Sequence, residues 1–125
     1  MNFIFVTIMF VGTLYPTAYR SVPHQTKPTG YHWTASGERV NVHGCAVSQD
    51  LLRRNGGPLV FGDLLYIHGV GFKFVNDVMH ERHKGRVDIW VATHRDERAF
   101  DKTFSGKYVR VWLIRPVFKK VRRAL

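Results

Sequence analysis

Cysteine is nearly absent: Cys45 stands alone in 125 residues. An intrachain disulfide and a cysteine-based metal site are therefore excluded. Acidic residues are also scarce, nine against nineteen Lys and Arg, for a formal net charge of +10. Each carboxylate is then worth locating, and the excess of cations points to an anionic partner. No glycine-rich phosphate loop is present, because Gly69-Val-Gly71 leads into an alternating apolar segment and not into a helix. A Gly-x-Ser-x-Gly elbow is missing as well. Cys45 sits in an apolar run, Cys45-Ala-Val, which suits a buried inert thiol.

What is present suits a β-rich domain. The length fits one core. Eleven glycines and many Val, Ile, Phe and Tyr residues favour strands joined by tight turns. Met1 to Leu14 is apolar and uncharged but short for a membrane span, and reads as a leader, an anchor or a first strand, with the leader or anchor preferred. Strands are expected over Thr17–Ser21, Val40–Val47, Gly62–His68, Phe72–Asn76, Val87–Ala92 and Lys107–Ile114. Val22 to Gly30 reads as a loop, Gln49 to Arg54 as a helical turn and Asn55-Gly-Gly-Pro58 as a loop. Thr93-His-Arg-Asp96 resembles a capping box and predicts a helix to Phe104, ended by Gly106. Pro116 is expected to stop the last strand. A basic tail, residues 116–125, would follow a barrel over 15–115. Six short strands with one or two short helices suit a closed all-β barrel.

Two carboxylates draw attention. Asp77 follows the alternating run Gly71-Phe-Lys-Phe-Val, and Asp88 interrupts Val87-Asp-Ile-Trp-Val. Both lie in β-type apolar flanks, where desolvation raises a carboxyl pKa from its usual value of about 3.9. Such a group holds enough proton at neutral pH to serve as a general acid, and a second carboxylate nearby pushes the two pKa values apart. The plainer alternative is that each aspartate braces a loop by accepting turn amides.

His80 and His83 have spacing that suits a metal, but Arg82, Lys84 and Arg86 would repel a cation, so neither metal nor cofactor is expected. Tyr31-His-Trp33 and the turn Thr34-Ala-Ser-Gly37 suit a sugar groove, with hydroxyls beside an aromatic wall. Arg115, Lys119, Lys120, Arg122 and Arg123 give the tail its charge. They suggest an anionic wall polymer or acidic lipid. Nucleic acid ranks last, because the body has no nucleic-acid motif.

An ordered set of short motifs carries a resemblance. Thr17-Ala-Tyr, Thr34-Ala-Ser-Gly37, Ala46-Val47, Gly62-Asp-Leu-Leu-Tyr-Ile, Asn76-Asp77, Gly85, Val87-Asp88-Ile-Trp and Val109-Arg-Val-Trp-Leu resemble the 3D domain, named for three aspartates. That domain is similar to the catalytic barrel of membrane-bound lytic transglycosylase A. The resemblance implies a six-stranded double-psi β-barrel, a monomer of the cell envelope or a secreted one, acting on peptidoglycan glycan strands. It implies Asp88 as catalytic acid and base, with Asp77 as its partner. Thr34, Ser36, Gly37, Ser48, His80 and Trp90 become the substrate-binding set. Ser48 stands where the family has its first aspartate, and Val78-Met-His80 replaces a Thr-Gly-Gly. The rival implied by Ser48 is a barrel that binds wall glycan without cleaving it.

Overall fold

A computed structural model describes residues 2–21 and 33–120. Strand β1 spans Asn2–Tyr19, β2 Gly44–Val47, β3 Leu64–Ile67, β4 Gly71–Val78, β5 Arg86–Trp90 and β6 Val109–Lys120. They close into a six-stranded barrel in the order β1-β5-β2-β4-β3-β6, with β6 returning to β1. The all-β barrel is therefore as expected. The pairs β1–β5 and β2–β4 are parallel and the other ladders antiparallel. Among the described residues, one helix, α1 (His94–Phe104), and two 3-10 turns, Gln49–Leu51 and Arg53–Asn55, accompany it.

Alternation decides which side chains fill the barrel. Val87 and Ile89 point in from β5, Leu65 and Ile67 from β3, and Val109, Val111 and Leu113 from β6. Cys45 and Val47 add to this core from β2, and Leu14 from β1. Burial pushes the Cys45 thiol up to about 12, which keeps it protonated and inert.

Several boundaries differ from the sequence reading. Residues 2–14 form the first part of β1, paired along their length with β6. The strand begins at Asn2, and the Thr17 segment is its end. The expected strand from Val40 is interrupted, because the Asn41 side chain accepts from the His43 N–H at 2.9 Å and the Gly44 N–H closes onto the Asn41 carbonyl at 3.1 Å. That local turn outcompetes the ladder until Gly44. Pro116 does not stop β6. Beyond Ile114, β6 pairs among the described residues with β1 alone, so its other side is an edge there, where proline is tolerated. Lys119 and Lys120 thus belong to a strand, and residues 121–125 lie outside the described set, as does the loop expected over 22–30. The helix starts as its sequence promised: the Thr93 hydroxyl accepts from the Asp96 N–H at 3.1 Å.

Arg115, counted above with the tail, is committed inside the fold. Its Nε donates to Asp63 Oδ1 at 3.0 Å and its Nη2 to Asp63 Oδ2 at 2.7 Å. Nη2 also donates to the Pro58 carbonyl at 3.2 Å, and Asp63 accepts from the Val60 N–H at 2.8 Å. This cluster ties the turn before β3 to β6. Asp63 is buried while Arg115 keeps about a third of its side chain in water. Asp63→Ala is therefore expected to cost about 2–3 kcal/mol in urea unfolding, below the range for a fully buried pair.

Candidate functional site

The register of four neighbouring strands builds the site. Thr17 of β1 pairs with Asp88 of β5, Asp88 pairs with Ala46 of β2, and Ala46 pairs with Asp77 of β4. Residues opposite one another in a ladder share a face. Cys45 and Ile89, one position away, point into the core, so the row Thr17–Asp88–Ala46–Asp77 lies on the outer face. The two aspartates flank Ala46 with Cα atoms roughly 9–10 Å apart, two strand spacings. Ala46 between them is itself buried, so the row is largely covered from solvent.

Asp77 joins this row only because β4 carries an extra residue. Cys45 pairs with Val75, but Ala46 pairs with Asp77, so Asn76 is a bulge. Without it, the period of two would turn Asp77 inward. The Asn76 side chain is buried, and a Cβ on Gly44 would collide with its amide. Glycine at 44 thus makes room for the bulge.

The two carboxylates are held differently. Asp77 Oδ1 accepts from the Ala35 N–H at 2.9 Å and from its neighbour Val78 N–H at 2.9 Å. Its Oδ2 accepts from the Tyr19 hydroxyl at 3.1 Å. Desolvation raises the Asp77 pKa, and these three donors oppose the rise. Burial also drives the Tyr19 pKa upward, so the phenol keeps its proton and remains a donor. Asp88 Oδ1 accepts from the Thr17 hydroxyl at 2.7 Å. Its pKa is pushed up to about 7, first by desolvation, with the charges of Asp77 and Glu97 adding to the rise and Thr17 and Arg86 opposing it. Asp77, braced by more donors, ionises first, and its charge then helps Asp88 retain a proton. Asp88 nonetheless keeps some exposed surface. The result is a strongly desolvated carboxyl divided between its two protonation states near neutral pH.

The turn Thr34–Gly37 docks on this site as a lid on Asp77. The Ser36 N–H donates to the Asn76 carbonyl at 3.1 Å, next to the Ala35 contact. Thr34 is buried, with its hydroxyl 2.9 Å from that of Ser36 and donating to the Glu38 carbonyl at 3.1 Å. Thr34 thus shapes the turn, with its hydroxyl spent inside it. Ser36 is half-buried, and Gly37 is exposed with φ +88°.

Ser48 departs further from its expected role. It is 0% exposed. Its hydroxyl accepts from the Arg86 N–H at 3.0 Å and donates to the Arg86 carbonyl at 3.3 Å. Together with Asp50, whose carboxylate accepts from the Gly85 N–H at 3.1 Å, it fixes the start of β5. Ser48 is thus enclosed in the fold and holds Arg86, two residues before Asp88, rather than presenting its hydroxyl to solvent. His80 lies in the exposed loop beyond β4, where its Nδ1 accepts from the Arg82 N–H at 3.1 Å. Trp90 shares the outer face two residues beyond Asp88, and its indole donates to Ser21 Oγ at 2.9 Å. Trp33 is exposed and bridges to Arg39.

Sequence reasoning named Thr17 and Tyr19 only as a motif. Their roles as hydrogen-bond donors to the two aspartates come from contacts across 71 and 58 residues of chain. The charge of Glu97 at the start of α1 was missed altogether. The alternation of Thr17 and Tyr19 was the available signal, since it puts both on one face of a strand. The chain matches no protein-family model and no curated protein. The functional reading therefore rests on the geometry of the row.

The raised Asp88 pKa also bears on stability. The folded carboxyl titrates near 7 and an unfolded one near 3.9, so the native state holds the extra proton between those values. That favourable contribution is complete below the unfolded pKa and is lost as pH rises through 7. Asp88→Asn, which cannot ionise, is expected to be more stable than the native protein at pH 8, by on the order of 2–4 kcal/mol, and nearly equal to it at pH 4. Thermal unfolding of both proteins across this range checks it.

Proposed function

We propose that this protein cleaves the glycosidic bond between N-acetylmuramic acid and N-acetylglucosamine in peptidoglycan, as a lytic transglycosylase. The observation that carries the reading is Asp88: one desolvated carboxyl, poised near pH 7, with a second carboxylate across Ala46. Asp88 protonates the glycosidic oxygen and the C–O bond breaks, leaving an oxocarbenium-like C1 on the muramic acid. The ionised Asp88 then removes the proton from the C6 hydroxyl, whose oxygen closes onto C1. The product is a 1,6-anhydro end, and Asp88 recovers its proton. One carboxyl acts twice, unlike the two-carboxylate scheme of ordinary glycoside hydrolysis.

Asp77 acts through its field. Its charge raises the Asp88 pKa and favours the developing positive C1. Thr17 holds the Asp88 carboxyl in place, and Tyr19 does the same for Asp77. Trp90, on the same face, and Trp33, exposed beside the docked turn, offer apolar surfaces for sugar rings. Work on peptidoglycan places the protein in the cell envelope or outside the cell.

A second reading has its own support. Ser48 supplies no carboxylate at the position where the family has one, and its hydroxyl is spent inside the fold. On that reading the row binds wall glycan without cutting it. Sacculus pull-down with no soluble muropeptides would select it.

Digestion of purified sacculi tests the cleavage reading by mass spectrometry. Muropeptides one water lighter than hydrolysis products are expected from the native protein. Asp88→Asn should lower their yield by about 10²-fold or more. The rate should fall above pH 7, as Asp88 loses the proton it must donate. Asp77→Asn removes one of the charges that raise Asp88, so the fall in rate should move to lower pH.

A further inference from the structure

The face of the barrel away from the carboxylate row is apolar and outward. The row occupies β1, β5, β2 and β4, and the other side of the ring is made by β1, β6, β3 and β4. One line across it is Phe10, Trp112, Tyr66 and Phe72, each paired with the next. Their rings touch in sequence, with centroids 5.6 Å apart for Phe10–Trp112, 6.0 Å for Trp112–Tyr66 and 5.1 Å for Tyr66–Phe72. The adjacent line is Ile8, Ile114, Leu64 and Phe74. Ile8 is 68% exposed and Phe72 57%. Beyond the barrel, residues 2–7 of β1 and 115–120 of β6 continue as a two-stranded ribbon roughly 20 Å long. Val6 and Pro116 carry the apolar face onto it.

Charge identifies what covers this face. The first acid in the chain is Glu38 and the last is Asp101, so β1 and β6 hold none, and β3 holds none either. Arg110 stands at one end of β6 and Lys119 and Lys120 at the other, with Arg122 and Arg123 following in the sequence. An apolar surface with Trp and Tyr, bounded by cations, with no acid on β1, β6 or β3 and with Asp77 at the opposite end of β4 from Phe72, is complementary to a layer of acyl chains under anionic headgroups. A second copy of the same face would bring its cations against these, which opposes self-association.

We infer that the outer face of β1, β6, β3 and β4 docks on an anionic lipid bilayer, with the ribbon lying in its headgroup region. The carboxylate row, on the far side of the ring, then faces away from the lipid. The proposal stands on the surface alone and survives if Asp88 proves inactive.

Flotation of the full chain with phosphatidylcholine vesicles, with and without phosphatidylglycerol, tests it. Binding is expected only with phosphatidylglycerol, weakening as salt is raised. Ile8→Asp combined with Phe72→Ser should reduce the bound fraction about ten-fold, at two positions exposed enough to spare the fold. Tryptophan quenching by brominated acyl chains should be strong in the native protein and reduced in Trp112→Phe, a substitution that keeps the apolar surface. The proposal is overturned by absence of binding to anionic vesicles, or by binding that the double substitution leaves intact. It is equally overturned by a dimer in lipid-free sedimentation that Ile8→Asp splits.

Discussion

A single extra residue in β4 governs the chemistry open to this protein. The bulge at Asn76 changes the parity of the strand, so that Asp77 emerges on the outer face opposite Ala46, as Asp88 does from the other side. In a regular ladder Asp77 would face the core, where an ionised carboxylate has no water and would need a cation. The collision awaiting any side chain at Gly44 shows that the bulge takes up real space in the barrel wall. The docked turn, the Tyr19 hydroxyl and the difference between the two carboxyl environments all follow from that placement.

Barrel closure supplies the second constraint. Because β6 returns to β1, the core-facing positions are enclosed, and both proposed activities fall to the outer surface. That surface divides into two regions. One carries the carboxylates, with donors arranged so that Asp77 is braced and Asp88 is left with the Thr17 hydroxyl against strong desolvation. The other is apolar and bordered by cations. The proposed cleavage and the proposed lipid docking use different strands' outer faces, and only β1 and β4 contribute to both.

Much of this was legible from residue order. The period of two in Val87-Asp-Ile-Trp gives the inward and outward faces of β5 directly, and it marks Asp88 as an outward acid among apolar neighbours. The start of α1 was equally plain, because a cap is a local interaction. Features set by distant pairing were not. Ser48 looked like a site position, yet the Arg86 backbone claims its hydroxyl. Thr34 looked like a sugar ligand, yet the turn buries it. Residues 2–14 carry an apolar run that reads as a leader, an anchor or a strand, and their pairing with β6 has no local mark in the sequence. The bulge left no mark in the sequence, since one inserted residue in an alternating run is visible only against its partner.

Carbon-detected NMR titration of the Asp88 side-chain carboxyl addresses the central claim most directly, because it reads the proton itself without substrate or substitution. A midpoint near pH 7 is expected for Asp88. A midpoint near 4 for Asp88 would mean that water reaches the carboxyl freely, and the acid-base role would be lost.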